Sequence, residues 1–553
     1  MIVSVVLLVL TVLAVTQLRG RRTGSDGVGV AVRRFFQYLL LAAMVFIVAI
    51  GLSGLLGRGL DRGALVVSDS TDLARDLAFI VVGIPTLAGL GAHTRRGLRQ
   101  SPAESHSLAW TLYLAGTELV SLAVTMAAAQ DVLLWVMQAR RFDGGALARA
   151  IVWGAVWALH LRIGARVGAK GRDAHVAATI IGLWTAAAGI AALVAAAYSS
   201  LLSQTLVVEG PSAVPSALAS LVVGGGVWTG YWLGAVRPMP HTPSRQFYLV
   251  VIGIAGGLLA AIVGATIVVY HALVWWIGVP DTASAAEHFR SASGAVGAFV
   301  AGVTVWWFHR NLVLHERGSE RDEAHRIAEY LTAGIALGAV GVAVAVLTVA
   351  GIESATAAVV LAGQPARNTL LLACTLLLVA GPVWAARWRS IRQAVAIDPE
   401  GERSSVTRRV YLFVLFGIVG LAAVVALIVA VAFCFDDVVV GRVGWNTLRR
   451  MRWALGVLVS AGVIAFGHWR VYRADREHVI EPVLRHLVVV GPVGADVERA
   501  LHARLGARIE VWRTDGPPWD ADAVIAALDG VEGAVVAVVA SDAGPRALSV
   551  ERH

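Results

Sequence analysis

Gly381, Pro382, Val383, Trp384, Ala385, Ala386, Arg387, Trp388, Arg389, Ser390, Ile391 and Arg392 close an apolar run that begins near position 368. Aliphatic residues that give way to indoles and then at once to arginines have the profile of a segment leaving a bilayer. Amphipathic rings settle where headgroups meet hydrocarbon, and cationic side chains gather on the cytoplasmic side. Looser copies close five other apolar runs: Trp157, Ala158, Leu159, His160; Trp228, Thr229, Gly230, Tyr231; Trp306, Trp307, Phe308, His309; Phe466, Gly467, His468, Trp469; and, weakest, His93, Thr94, Arg95, Arg96. Setting His93, His160, Tyr231, His309, Arg387 and His468 in register gives steps of 67, 71, 78, 78 and 81 residues. Steps of that size suit a two-helix unit used six times.

The rest of the chain agrees. Of its 553 residues 57% are hydrophobic and only 15% charged, and the mean hydropathy is +0.72. Soluble cores cannot hide that much apolar surface, so the fold class is an all-α polytopic membrane protein. A formal charge of +9 raises nucleic acid as a partner. The arginines, however, gather at helix ends, where the anionic lipids of an inner leaflet are nearer, and nucleic acid is rejected as a primary ligand. Cys374 and Cys434 both fall in apolar runs, which excludes a disulfide framework and zinc-ligand spacing.

Taken in order, residues 1–19 read as an N-terminal transmembrane anchor with its start outside, a cleaved signal peptide being the alternative. Residues 20–34 read as a cytosolic linker. Six hairpins then occupy 35–100, 101–172, 173–240, 241–322, 323–400 and 401–478, and a small cytosolic α/β domain fills 479–553. Within that domain strands are expected at His486 to Val490, Arg508 to Arg513, Ala534 to Val539 and Arg546 to Glu551, and helices at Asp496 to Leu505 and Asp520 to Leu528. The first helix of most hairpins opens with Tyr-Leu, at Tyr38, Tyr113, Tyr248, Tyr330 and Tyr411. These rings are expected at the headgroup level, on the same face as the tryptophans. Joints between hairpins are rich in arginine and tips carry most of the acids, with Arg449, Arg450 and Arg452 as exceptions. That asymmetry predicts cytoplasmic joints, thirteen crossings and a cytoplasmic C-terminus in a bacterial inner membrane. Small residues such as Gly224, Gly225, Gly226, Gly253, Gly256, Gly257, Gly264, Gly334, Gly338 and Gly341 are expected to let helices approach closely.

The closing phrases and the Tyr-Leu openings together resemble an uncharacterised bacterial membrane family, known only as a domain of unknown function. Its repeated hairpins end in Gly-x-Pro-x-Trp, then His or Arg, Trp and Arg. The resemblance spans residues 33–478 and is closest at Gly381, Pro382, Trp384, Trp388 and Arg389. The first copy lacks the Trp pair, and the third has Tyr231 where His or Arg is usual. The resemblance implies topology and carries no activity.

Glu118 is the sharpest candidate for chemistry, lying mid-helix between Thr117 and Leu119 with Ser121 a turn further on. A charge near a bilayer midplane costs on the order of 3 kcal/mol, so the group is expected to be neutral, paired or facing water. One reading is a proton or cation relay. The plainer one is a carboxyl hydrogen-bonded to Thr117, Ser121 or a neighbouring helix. His93, His160, His309 and His468 could hold haem between facing helices. As interfacial anchors, in company with Trp157, Trp228, Trp306, Trp384, Arg387 and Trp469, they need no cofactor, and none is expected. The outer acids Asp69, Asp72, Asp76, Asp131, Asp436 and Asp437 could gather cations at a pore mouth, a solvated face being the plainer reading. Gly491, Pro492, Val493 and Gly494 could present amides to an anion, although the full dinucleotide spacing is missing. No catalytic phrase and no metal-ligand spacing occurs. The leading reading is therefore a non-enzymatic scaffold or sensor that presents its tail to a cytosolic protein partner. A transporter or channel using Glu118 is the alternative, and a His-ligated redox protein a second one.

Overall fold

A computed structural model describes residues 28–61, 70–167, 172–202, 213–240, 242–315, 323–356, 366–476, 486–505, 507–529, 531, 535–541 and 544–549. The expected anchor at 1–19 lies outside the described residues. Among them, twelve helices are long and apolar enough to cross a membrane, and they fall into six consecutive hairpins.

Hairpin 1 pairs Val28–Leu60 with Ser70–Gln100, and hairpin 2 pairs Leu108–Val136 with Gly144–Val167. Hairpin 3 pairs Arg172–Leu202 with Ala213–Tyr231, which continues as a π-helix over Trp232–Val236. Hairpin 4 pairs Pro243–Ile277, π-helical over Phe247–Ala255, with Ser293–His315. Hairpins 5 and 6 pair Glu323–Ala355 with Ala366–Ile397 and Val406–Val439 with Trp445–Arg476. A crossing needs about 20 residues, so most of these helices overhang the hydrocarbon. Residues 28–34, expected in a linker, are already helical. The Gly-Pro-x-Trp phrase likewise lies inside its helix, which runs on to Ile397 past Pro382. A proline is tolerated there because neighbouring helices can satisfy the freed carbonyl.

Chain contacts divide the molecule into two compact units. One comprises residues 1–398 with 406–464, the other residues 399–405 with 465–553. In the first, the first helix of each of hairpins 1 to 4 packs on the second helix of the next hairpin as well as on its own partner. Backbone meets backbone at these seams. A Cβ on Gly257 would stand 2.6 Å from Trp306 N, and one on Gly302 would stand 2.5 Å from Ala261 N. In lipid, such close approach replaces the hydrophobic drive between helices. The small-residue reading is too broad, however, because Gly225, Gly226 and Gly338 face open space. The first helix of hairpin 6 shows the opposite surface, with Phe413, Ile418, Leu421 and Ile428 exposed as suits contact with lipid.

The second unit holds the α/β tail, a four-stranded sheet in the order β2-β1-β3-β4. Strand β1 (His486–Gly491) lies parallel to β2 (Arg508–Arg513) and to β3 (Val535–Ser541), while β4 (Gly544–Ser549) is antiparallel to β3. Alternation in β1 and β3 sends Leu487, Val489, Val536 and Val538 into a core shared with Leu501 and Val524 of the two helices. Asp520 caps the second of these by accepting Ala523 N–H at 2.6 Å.

Candidate functional site

The repeated phrases converge on hydrogen bonds between tyrosines and histidines. In hairpin 2, Tyr113 Oη lies 3.0 Å from His160 Nε2, and in hairpin 4 Tyr248 Oη lies 2.9 Å from His309 Nε2. The other ring nitrogen, Nδ1, sits 2.8 Å from the carbonyl one turn back, Val156 O or Val305 O. A carbonyl can only accept, so Nδ1 carries the hydrogen and Nε2 accepts the tyrosine O–H. Both nitrogens of each imidazole are thus engaged, and no lone pair is left for iron. Tyr248 Oη also accepts Trp228 Nε1–H from the preceding hairpin at 2.7 Å.

In hairpin 3 the two residue types exchange helices. His175 comes from the first and Tyr231 from the second, with ring centroids 5.5 Å apart, against 5.6 and 5.2 Å for the pairs in hairpins 2 and 4. Tyr231 Oη accepts Trp157 Nε1–H at 2.7 Å and donates to Glu118 Oε1 at 2.7 Å, with His175 Nε2 3.7 Å from the same oxygen. Glu118 is therefore buried in this aromatic layer, ten residues into a helix that starts at Leu108, and not at its middle. Thr117 and Ser121 are not partners of its carboxyl group. Ser121 Oγ donates to the backbone oxygens of Thr117 and Glu118, and Thr117 Oγ1 has no partner among the described residues.

The remaining hairpins vary the theme. Tyr38 Oη donates to Glu104 Oε1 at 3.4 Å, whose other oxygen takes Arg34 Nε at 2.8 Å. Tyr330 Oη accepts Arg408 Nη1–H at 2.9 Å, and Trp384 stacks with Trp388. In the first copy His93 is exposed while Thr94 is buried, which moves the register by one residue. His468 is buried and Trp469 exposed.

Burial turns these rings toward neighbouring helices. Tyr38, Tyr248 and Tyr330 are at most 2% exposed and His309 is 0% exposed. They face protein, while Trp307, Phe466 and Trp469 of the closing phrases turn outward. The two π-segments border this layer, and Gly253, inside one of them, leaves room for the His309 ring where any Cβ would collide with it. Such π-segments are common where a side chain must be re-aimed.

At the hairpin tips the acids are bound to arginines. Asp76 is 1% exposed and bonded to Arg75 and Arg58, Asp72 pairs with Arg75, and Asp131 with Arg140. Arg450 takes both Asp436 and Asp437. Arg452 Nε lies 3.1 Å from Glu353 Oε1, and Thr369 holds that residue's other oxygen. Asp76 and Asp437 are buried, against the solvated-face reading, whereas Asp72, Asp131 and Asp436 keep much of their surface open, Asp69 lying outside the described residues. The pairing compensates Arg450 and Arg452 locally, whereas Arg449 Nη1 donates to Thr356 Oγ1 at 3.4 Å.

Sequence reasoning missed Glu104, Glu329 and Glu353, all buried. Glu329 accepts Ser390 Oγ–H at 2.7 Å and has His325 Nε2 at 3.4 Å. Its signal was the His325 and Glu329 spacing of one helical turn just before Tyr330. In the tail, the Gly491 to Gly494 loop is no anion cradle. Trp519 covers Gly491, and Asp496 puts a carboxylate beside Gly494. Among the described residues no cluster of three metal-ligating side chains occurs.

Comparison with known families places this layer in context. The model described as Domain of unknown function (DUF5671) matches residues 34–159 and again 326–463. Each match spans two hairpins and begins four residues before a layer tyrosine, Tyr38 or Tyr330. Two regions of the chain are thus similar to one uncharacterised domain, and the intervening hairpins 3 and 4 hold the exchanged pair and both π-segments. No curated protein and no solved structure matches the chain.

Proposed function

We propose that this multi-pass membrane protein is a scaffold or sensor, in which the hairpin array holds the α/β tail at the inner face of a bacterial membrane for a cytosolic partner. The observation that carries this reading is that polar groups of the layer in hairpins 2, 3 and 4 bond to one another across hairpins. Trp157, Tyr231 and Glu118 tie hairpin 2 to hairpin 3, and Trp228, Tyr248 and His309 tie hairpin 3 to hairpin 4. A carboxyl group that ends such a chain serves as a clasp between helices; a relay needs a hydrated successor to pass the proton on. The basic joints support a cytoplasmic tail.

Complementation of a strain lacking the gene tests this. The full chain and Glu118→Gln should both restore the wild-type behaviour, while residues 1–478, inserted at equal level, should not. Restoration by residues 1–478 together with failure of Glu118→Gln would favour transport through the membrane part instead.

A further inference from the structure

The Trp-to-Tyr hydrogen bond that joins hairpin 2 to 3 and hairpin 3 to 4 is not made between hairpins 4 and 5. Trp306 stands three residues before His309, as Trp157 does before His160, yet its buried Nε1 has no partner among the described residues. At this end of the junction a cavity of about 380 Å³ separates Ile254, Trp306 and Arg310 of hairpin 4 from His325, Glu329 and Ser390 of hairpin 5. The tip end is clamped. Asn368 of hairpin 5, 3% exposed, accepts Val279 N–H at 2.9 Å and donates to Val279 O at 2.8 Å. Between the two ends Leu258 and Ile262 pack on Ala380, an aliphatic contact with no directional bond to break.

The neighbouring junctions are held at both ends. Trp228 to Tyr248 and Arg290 to Leu202 O join hairpins 3 and 4. Hairpins 5 and 6 are joined through Tyr330 to Arg408, Gly341 O to Ser460 Oγ and Glu353 to Arg452. A Cβ on Gly456 would also stand 2.6 Å from Ala345 O. Trp384 Nε1 likewise has no partner among the described residues, but these bonds keep its junction shut. Two further features fall on the open junction. The π-helix Phe247–Ala255 reaches it at Ile254, and departures of this kind are frequent at functional sites. The second family match starts at Arg326, so hairpins 5 and 6 are matched as a unit.

We propose that this junction is a hinge, on which hairpins 5 and 6 rock as one body against hairpins 1 to 4 about the clamp of Asn368 on Val279. In the second position the cavity closes and Trp306 Nε1–H donates to Tyr330 Oη, the bond that Trp228 makes to Tyr248. A phenol oxygen can accept two donors, so Arg408 need not leave. Closure gives a buried N–H the acceptor it lacks here, and opening costs only that bond and an aliphatic contact. Domain rotation about a few fixed residues is a common way for packed helices to hold two states. The proposal stands apart from the scaffold reading, which complementation tests separately.

Pulsed EPR distances between spin labels test it, in the full chain carrying C374A/C434A and held in lipid nanodiscs. The labelled positions Leu159, Leu233, Trp276, Leu370, Arg389 and Val410 are all exposed. L233C/R389C, across the cavity end, should give two distance populations. W276C/L370C beside the clamp, L159C/L233C within hairpins 2 and 3, and R389C/V410C within hairpins 5 and 6 should give one each. W306F should at least halve the shorter-distance population of L233C/R389C. W384F, which removes the other unpartnered indole, should leave it unchanged. A single narrow population for L233C/R389C would overturn the hinge, and that pair decides it whether or not W306F folds. Two populations at W276C/L370C as well would overturn the clamp as pivot. Populations that W306F leaves unchanged, or that W384F shifts equally, would overturn the latch.

Discussion

Tyr231 shows what one hydroxyl does here. It accepts from an indole of hairpin 2 and donates to a carboxyl group of the same hairpin, so Tyr231→Phe strands two buried polar groups at once. Leaving a buried donor or acceptor unpaired costs about 1 to 3 kcal/mol. Thermal unfolding in detergent should show a clear loss of stability for Tyr231→Phe, and a smaller one for Glu118→Gln, whose amide oxygen still accepts the phenol. A larger loss for Glu118→Gln than for Tyr231→Phe would mean that the carboxyl group has a role beyond the clasp. Gly253 makes the complementary case. Its missing side chain is where His309 packs, so Gly253→Ala must push the imidazole off Tyr248 or spread the two helices. Overpacking of this kind costs roughly 1 to 3 kcal/mol. Gly225→Ala, facing open space, should be neutral in the same assay.

Among elements, the helices were legible in the sequence and their partners were not. Apolar runs mark all twelve long helices among the described residues, five of them opening near Tyr-Leu and two closing at Trp-x-x-His, since hydropathy reports the solvent along a segment directly. Polar overhangs such as Glu323 to Arg326, or residues 389–397, read as loop from the sequence because they leave the hydrocarbon while remaining helical. Glu329 and Glu353 escaped notice for the same reason, being assigned to ends taken as wet. The exchange of His175 and Tyr231 was visible only as a departure at position 231. Recognising it required knowing that the first helix of hairpin 3 supplies the other ring. The seam between hairpins 3 and 4 can be tested as a unit by a double-mutant cycle on Trp228→Phe and Tyr248→Phe. Residues that share a hydrogen bond couple by about 0.5 to 3 kcal/mol, so the double variant should lose less than the sum of the two single losses. Strict additivity would show that the Trp228 and Tyr248 contact contributes nothing to the seam.

At the scale of the whole molecule, the hairpins repeat without inversion, since each contains an even number of crossings. Under the proposed topology every joint would then lie in one compartment. Pairing of Arg450 with Asp436 and Asp437, and of Arg452 with Glu353, keeps the last tip compatible with the opposite compartment. Under the proposed topology the α/β tail, which follows the last hairpin in the chain, would share the compartment of the joints. Cysteine labelling tests this arrangement most directly, in a chain with Cys374 and Cys434 replaced by Ala and single cysteines placed in turn at Arg96, Arg237, Arg389 and Arg470. A membrane-impermeant maleimide should label all four only after the cytoplasmic side is opened, and label a cysteine at the tip residue Gly441 from outside intact cells. Labelling of any one of the four from outside would break the common face and contradict the repeated layer.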